Sequence, residues 1–271
     1  MDLHPLIDSI AEKGESVMRE RGTFVDEHGI ERCSVCRDPV YTFIDGMGKL
    51  PIRCACDDRE DEAFRRRKAE QKAQRKVRES PLYNADYSTF TFDRDDKPQS
   101  EAATISRAYV EHFAEMSEQN SGLLYTGTVG TGKSFYAACV YNEIIKRGTP
   151  ALMFTSPALI GAIKREGNGL VRELNAYPLI VLDDLGAERN TDYAAELLNL
   201  FVDARYTARK PLVITTNLSA KDMQSCTDMR YRRIFDRIRT MCPTVVILDG
   251  ESRRAEQQRQ KAQQAREIMG I

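Results

Sequence analysis

Gly127-Thr128-Val129-Gly130-Thr131-Gly132-Lys133-Ser134 follows directly on the apolar run Leu123-Leu124-Tyr125-Thr126. It leads into a segment in which Ala137, Val140, Tyr141 and Ile144 recur at helical spacing. A glycine-rich loop between a strand and a helix is the setting in which backbone N–H groups converge on phosphate oxygens. Gly127, Gly130 and Gly132 permit the turn, and Lys133 is placed to reach the β- and γ-phosphates. The Ser134 hydroxyl is a magnesium ligand in this pattern, and the helix N-terminus adds partial positive charge. The stretch therefore predicts a binding loop for ATP with Mg2+.

Working outward, further short apolar runs at 151–154, 179–182, 212–216 and 244–248 join 123–126 as predicted strands, with amphipathic segments between them. Ala194, Leu197, Leu198 and Phe201 mark one such helix. Strands alternating with helices across short connections imply a parallel sheet covered on both faces. Ser156-Pro157 reads as an N-cap followed by proline at the first helical position. The third run ends in Asp183-Asp184, so Asp183 is expected to hold the metal and Asp184 to orient or deprotonate the attacking water. The fourth run ends in Thr215-Thr216-Asn217, where Asn217 can sense the γ-phosphate or simply form a turn. Residues 230–239 are rich in arginine, with Ile234, Phe235 and Ile238 at helical spacing. Such a helix lays its apolar side on a core and presents arginines outward. Arg237 has only Asp236 as a near acidic neighbour in sequence, and adjacent residues on a helix do not face each other. Its charge is expected to be available to another subunit.

The chain has 271 residues and a formal net charge of −1, so any nucleic-acid site must be a local patch rather than a global basic field. No apolar run approaches the ~20 residues of a membrane span, and Met1-Asp2-Leu3-His4-Pro5 lacks the start of a signal peptide. A cytoplasmic protein is expected, and there the seven cysteines argue against a disulfide framework. Composition divides the chain into residues 1–56, which hold a cysteine cluster, a charged helical linker over 57–80, a nucleotide-binding domain over 81–255 and a helical or disordered tail over 256–271. Within the linker, 64–78 carries eight Lys or Arg against one Glu. It is either a solvated spacer or a basic helix that touches DNA or an acidic partner.

Cys33-Ser-Val-Cys36 and Cys54-Ala-Cys56 flank a predicted hairpin: Val40–Ile44 outward, a turn at Asp45-Gly46, and Leu50-Pro51-Ile52 returning. A hairpin brings the pairs together as a tetrahedral thiolate site for Zn2+, with His28 as a substitute ligand. Four thiolates leave no open position, so such a site is structural.

Taken in order, Gly127–Ser134, Leu182-Asp-Asp-Leu-Gly186, Thr215-Thr-Asn217, Arg233-Ile-Phe-Asp-Arg-Ile238 and Gly250-Glu-Ser-Arg-Arg254 resemble the AAA+ ATPases of the DnaC/DnaI helicase-loader and IstB group. The resemblance covers 81–255 and implies a five-stranded parallel sheet without a full C-terminal lid. It implies Asn217 as sensor 1, Arg237 as an arginine finger with Arg233 as its rival, and Arg254 as a sensor-2-like contact. It also implies an extra helical element at 155–178 lining a path for single-stranded DNA, with Lys164, Arg165 and Arg172 as basic candidates and Gly167-Asn168-Gly169 dividing it. DnaI-like loaders resemble the whole arrangement of zinc module, charged linker and ATPase, whereas IstB transposition helpers generally lack the zinc module. The expected function is an ATP-dependent loader of a hexameric replicative DNA helicase that self-associates and releases on hydrolysis. An IstB-like transposition helper is the alternative. A small-molecule kinase would need a substrate pocket and lid for which the sequence offers no candidates.

Overall fold

A computed structural model describes residues 22–44, 48–188, 191–250 and 252–269, and at 254, 256, 257 and 260 it describes the backbone alone. The N-terminal stretch, the Asp45-Gly46 turn, Glu251 and the end of the tail lie outside the described residues. The chain divides into two compact units, residues 1–68 and 69–271.

In the first unit, strand β1 (Thr23–Val25) pairs antiparallel with β2 (Glu31–Cys33), and β3 (Tyr41–Ile44) with β4 (Gly48–Pro51). The register sets Tyr41 opposite Pro51 and Ile44 opposite Gly48, which is the predicted hairpin. Helix α1 (Ala55–Arg78) begins inside the second cysteine pair and includes the whole basic run 64–78 without a break.

In the second unit, helices α2 (Glu101–Glu111) and α3 (Phe113–Glu118) precede β5 (Leu123–Thr126) and α4 (Lys133–Lys146). Then follow β6 (Ala151–Thr155), α5 (Ser156–Glu166), α6 (Asn168–Leu174), β7 (Leu179–Leu185) and α7 (Asp192–Thr207). The chain continues through β8 (Leu212–Thr216), α8 (Ala220–Gln224), α9 (Met229–Met241), β9 (Thr244–Ile247) and α10 (Arg253–Met269). All five predicted strands form, and they make one parallel sheet in the order β6-β7-β8-β5-β9. Leu123, Leu124 and Tyr125 and residues 179–182 and 212–214 are almost wholly buried, as a sheet sandwiched between helices requires. Ile234, Phe235 and Ile238 of α9 and Leu198 and Phe201 of α7 are buried as well, so the two amphipathic patterns are the core-facing stripes of these helices.

Two local readings change. The cap of α5 is Thr155, whose Oγ1 accepts the Ala158 N–H at 3.3 Å; Ser156 already lies inside the helix and turns its hydroxyl elsewhere. The helix break after α5 falls at Gly167 alone, in a left-handed conformation, and Asn168 and Gly169 already belong to α6. Among the described residues no helix is long and apolar enough to cross a membrane.

Candidate nucleotide site and thiolate cluster

β5 sits between β8 and β9: the chain leaves β5 for the far edge strand β6, steps back through β7 to β8 and then crosses over to β9, and ligands bind at the carboxyl edge of a sheet where the strand order reverses in this way. The phosphate loop springs from that edge. Gly127 and Gly130 have φ of 128° and 83°, and a Cβ at either would fall 2.2 Å from the Leu248 carbonyl oxygen or 2.1 Å from Ser252 Oγ. Only glycine fits there. The segment after β9 braces the loop: Leu248 N donates to Thr126 O at 2.8 Å, Arg253 N to Gly130 O at 2.9 Å, and Thr128 N to Asp249 Oδ1 at 3.2 Å. Lys133 is buried and donates through Nζ to the carbonyls of Gly127 at 2.9 Å and Thr128 at 2.6 Å. Thr131 Oγ1 donates to Thr128 O at 2.8 Å, Val129 projects at the loop tip, and Ser134 and Gly132 are half-buried at the start of α4.

The two carboxylates lie within β7 rather than just beyond it. Between Leu182 and Leu185 the register against β8 slips by one residue, so Asp183 and Asp184 together face Thr215. The Thr215 hydroxyl donates to Asp183 Oδ1 at 2.5 Å and accepts the Asp184 N–H at 2.9 Å. Tyr87, from a short 3-10 turn at Ala85–Thr89, donates to the second oxygen, Asp183 Oδ2, at 3.1 Å. Burial and the neighbouring Asp183 charge push the Tyr87 phenol well up, so it stays a donor. Asp184 adopts a left-handed φ of 53°, an expensive conformation for a non-glycine residue. Asn217 follows β8 directly and is exposed on the same edge, next to the strand that carries the phosphate loop.

The side chain of Arg254 lies outside the described residues. The guanidinium of its neighbour Arg253 donates to Tyr136 Oη at 2.7 Å, pairs with Asp96 at 2.6 Å and Asp95 at 3.4 Å, and lies over the rings of Phe135 and Tyr136. Arg253 and Tyr136, together with Lys97, Ser100 and Thr131, line an open cavity of about 220 Å³ beside the phosphate loop. The expectation that Arg237 has a free charge does not hold. Arg237 pairs with Asp203 at 2.7 Å and donates to Asn199 Oδ1 at 2.9 Å, both on α7. Sequence spacing along α9 misses them because they come from a neighbouring helix. Arg233 is exposed, with no ion pair to a described residue. Lys164, Arg165 and Arg172 are exposed on α5 and α6.

In the first unit, the sulfurs of Cys33, Cys36, Cys54 and Cys56 lie within 4.8 Å of one another, and those of Cys33 and Cys56 are 4.0 Å apart. Four sulfurs about 2.3 Å from one ion sit roughly 3.8 Å apart, so the set fits tetrahedral zinc. The first pair lies in a tight turn that closes with Arg37 N on Cys33 O and a left-handed Arg37; the second straddles the start of α1. Asp38 Oδ2 accepts the Ala55 N–H and so joins the two turns. Backbone N–H groups of Cys36 and Val35 aimed at Cys33 bring its thiol down to about 7, while burial lifts Cys54 to about 12. Arg59 donates to Cys56 Sγ at 3.3 Å. His28 stays outside the cluster, exposed beside Glu27.

A parallel sheet in this order, a phosphate loop after β5 and two acids on β7, the strand beyond its neighbour β8, define an AAA+ P-loop ATPase fold. The sequence profile of the IstB-like ATP binding proteins matches residues 58–262, and the chain belongs to that family. Among its relatives is the "Replicative helicase loader DnaC" of Escherichia coli (strain K12), 29% identical over 164 residues, which are 58% of this chain and 64% of that protein. The match thus spans somewhat less than two thirds of that relative. The fold matches a crystal structure of the DnaC helicase loader at a TM-score of 0.51 and 24% identity, over 62% of this chain and 100% of that one. It matches a crystal structure of DnaI at 0.51 and 21%, over 61% and 93%.

Proposed function

We propose that the chain is an ATP-driven loader of a replicative DNA helicase. The observation that carries this reading is the likeness, across the ATPase domain, to a protein named as a replicative helicase loader. The thiolate cluster in the first unit supports it further, because transposition helpers of the same family generally lack such a module. The functional division is 1–56 for grip on the helicase, 57–80 as linker, 81–255 as ATPase and 256–271 as tail.

In the ATPase, Gly127–Ser134 hold the triphosphate of ATP, Lys133 neutralises its β- and γ-oxygens, and Ser134 and Asp183 hold Mg2+. The ion screens the phosphate charge. Asp184 orients or deprotonates the attacking water, Asn217 reads the γ-phosphate, and Arg237 completes a neighbour's site when chains self-associate. Arg253 or Arg254 contacts the nucleotide from the segment that braces the loop. Lys164, Arg165 and Arg172 meet the backbone of single-stranded DNA. Hydrolysis releases the helicase. Zinc on the four cysteines supports the fold of the first unit, and such thiolates belong to a reducing compartment, the cytoplasm.

The test is co-purification of the full chain with hexameric replicative helicases, with and without ATP. Nucleotide-dependent capture of a helicase is expected. Capture of a transposase instead, with no helicase retained, overturns the reading in favour of the transposition helper that the family description allows.

A further inference from the structure

Glu188 stands just beyond Asp184 and enters none of the roles assigned above. It is nearly buried, and its Oε2 lies 2.5 Å from Ser156 Oγ and accepts the Gly186 N–H at 2.9 Å. Its second oxygen, Oε1, is buried with no hydrogen-bond partner among the described residues. The hydroxyl of Tyr231 on α9 faces this carboxylate. A carboxylate kept out of water costs free energy, and it persists where the surrounding structure uses it.

What it touches is the peptide that follows the catalytic acid. The Ser156 hydroxyl is sandwiched between Glu188 Oε2 and the Asp184 carbonyl, the latter 3.0 Å away. Ala187 N donates to the same carbonyl at 3.0 Å. On the other side, Thr215 accepts the Asp184 N–H. Asp184 is therefore bonded at its N–H by the Thr215 hydroxyl and at its carbonyl by the Ala187 N–H and by the Ser156 hydroxyl, which shares its single proton between that carbonyl and Glu188, in a left-handed conformation uncommon for a residue other than glycine. Glu188 sets one of those hydroxyls and also ties down the Gly186 turn.

We propose that Glu188 is a positioning residue for ATP hydrolysis: acting through Ser156, it fixes the Asp184 backbone so that the Asp184 carboxylate faces the attacking water. This rests on the reading of Asp184 as the water-directing acid.

The test compares the full chain with Glu188→Gln, Ser156→Ala and the double variant, measuring kcat, KM for ATP, equilibrium affinity for a non-hydrolysable ATP analogue, and thermal melting. Each single variant is expected to lower kcat roughly 10- to 100-fold, the range for a slight misplacement of a catalytic group. KM and analogue affinity should stay at wild-type values, while the melting temperature falls only by the cost of an unpaired buried polar group. Because the two residues act in series, the double variant should lose no more than the worse single. Ser156→Ala alone keeps the test decisive if Glu188→Gln folds poorly. Wild-type kcat in Ser156→Ala, or a loss of analogue affinity in step with kcat, overturns the proposal. A kcat loss that multiplies in the double variant does so too. If Asp184→Asn hydrolyses ATP as well as wild type, it is the reading of Asp184 that has failed. If Asp184→Asn is inactive while the Ser156 and Glu188 variants are fully active, only the positioning role has failed.

Discussion

Lys133 donates its ammonium to two carbonyls of its own loop, and under the proposed function those bonds are exchanged for phosphate oxygens when nucleotide enters. Lys133→Ala should abolish ATP binding in calorimetry, because no other side chain of the loop carries positive charge. Undiminished affinity would refute the assignment. Asp184→Asn should bind ATP and lose turnover. Thr215→Val is a sharper probe. It keeps the shape but removes the buried hydroxyl that donates to buried Asp183 and accepts from half-buried Asp184. Turnover should fall, and stability should drop by about 1–3 kcal/mol, the cost of leaving a buried polar group unpaired. Chemical melts alongside the ATPase assay would read both. At this scale the sequence displayed the loop and the acid pair because each is a contiguous string. It did not display Thr215, Tyr87, Ser156 or Glu188 as partners of those acids. Their sequence separations are set by the sheet order and by a one-residue register slip, neither of which leaves a local pattern. Arg253 is brought to the phosphate loop for the same reason: the packing of the segment after β9 decides it, and a pair of adjacent arginines in sequence does not.

Among elements, α7 illustrates what periodicity can and cannot tell. Its apolar stripe was plain, but Arg205 near its end reads as one more surface cation and is wholly buried. It donates to the carbonyls of Tyr177 at 2.7 Å, Pro178 at 3.2 Å and Pro211 at 2.8 Å, just before β7 and β8 begin. Burial without an acidic partner brings its pKa down to about 9. Arg205→Ala would leave three carbonyls without that donor and a hole in the packing. A loss of about 3 kcal/mol or more is expected in urea melts; a wild-type midpoint would show that water replaces the guanidinium at no cost. The β3–β4 hairpin makes the complementary case. Its strands are short and largely exposed, too little core to hold two cysteine pairs together without a metal. Protein purified without chelator should contain about one zinc per chain. Cys33→Ser or Cys54→Ser should unfold the first unit while circular dichroism and ATP binding report an intact second unit. A metal-free chain with a native first unit would sink the zinc assignment. The cysteine spacing announced this site because metal ligation writes itself into short sequence intervals, whereas a buried arginine does not.

For the whole molecule, the decisive question is whether one chain completes another's active site. α9 packs its apolar side on the core and carries Arg233 and Arg237. Arg237 is bound to Asp203 in the isolated chain, but that pair is partly exposed, 28% for the arginine and 47% for the aspartate side chain. Pairs of that kind contribute about 0–1 kcal/mol. An arginine that stabilises phosphoryl-transfer charge contributes on the order of 10³ in rate, about 4 kcal/mol at 1.36 kcal/mol per decade. The gain at a neighbour's γ-phosphate exceeds the loss at Asp203, so the ion pair can hold Arg237 in reserve without excluding it from the reaction. Arg237→Ala should then leave ATP affinity nearly intact and lower turnover on the order of 10³-fold. Asp203→Ala should leave turnover within a few-fold of wild type, since it removes only the reserve partner. Mixing Arg237→Ala with Lys133→Ala should restore part of the activity. At an interface between the two, the first chain supplies the intact nucleotide site and the second supplies the arginine. If the mixture stays inactive while light scattering shows that the two chains associate, Arg237 does not act across an interface. The same mixing experiment with Arg233→Ala then decides whether the exposed arginine one turn earlier on α9 fills that role.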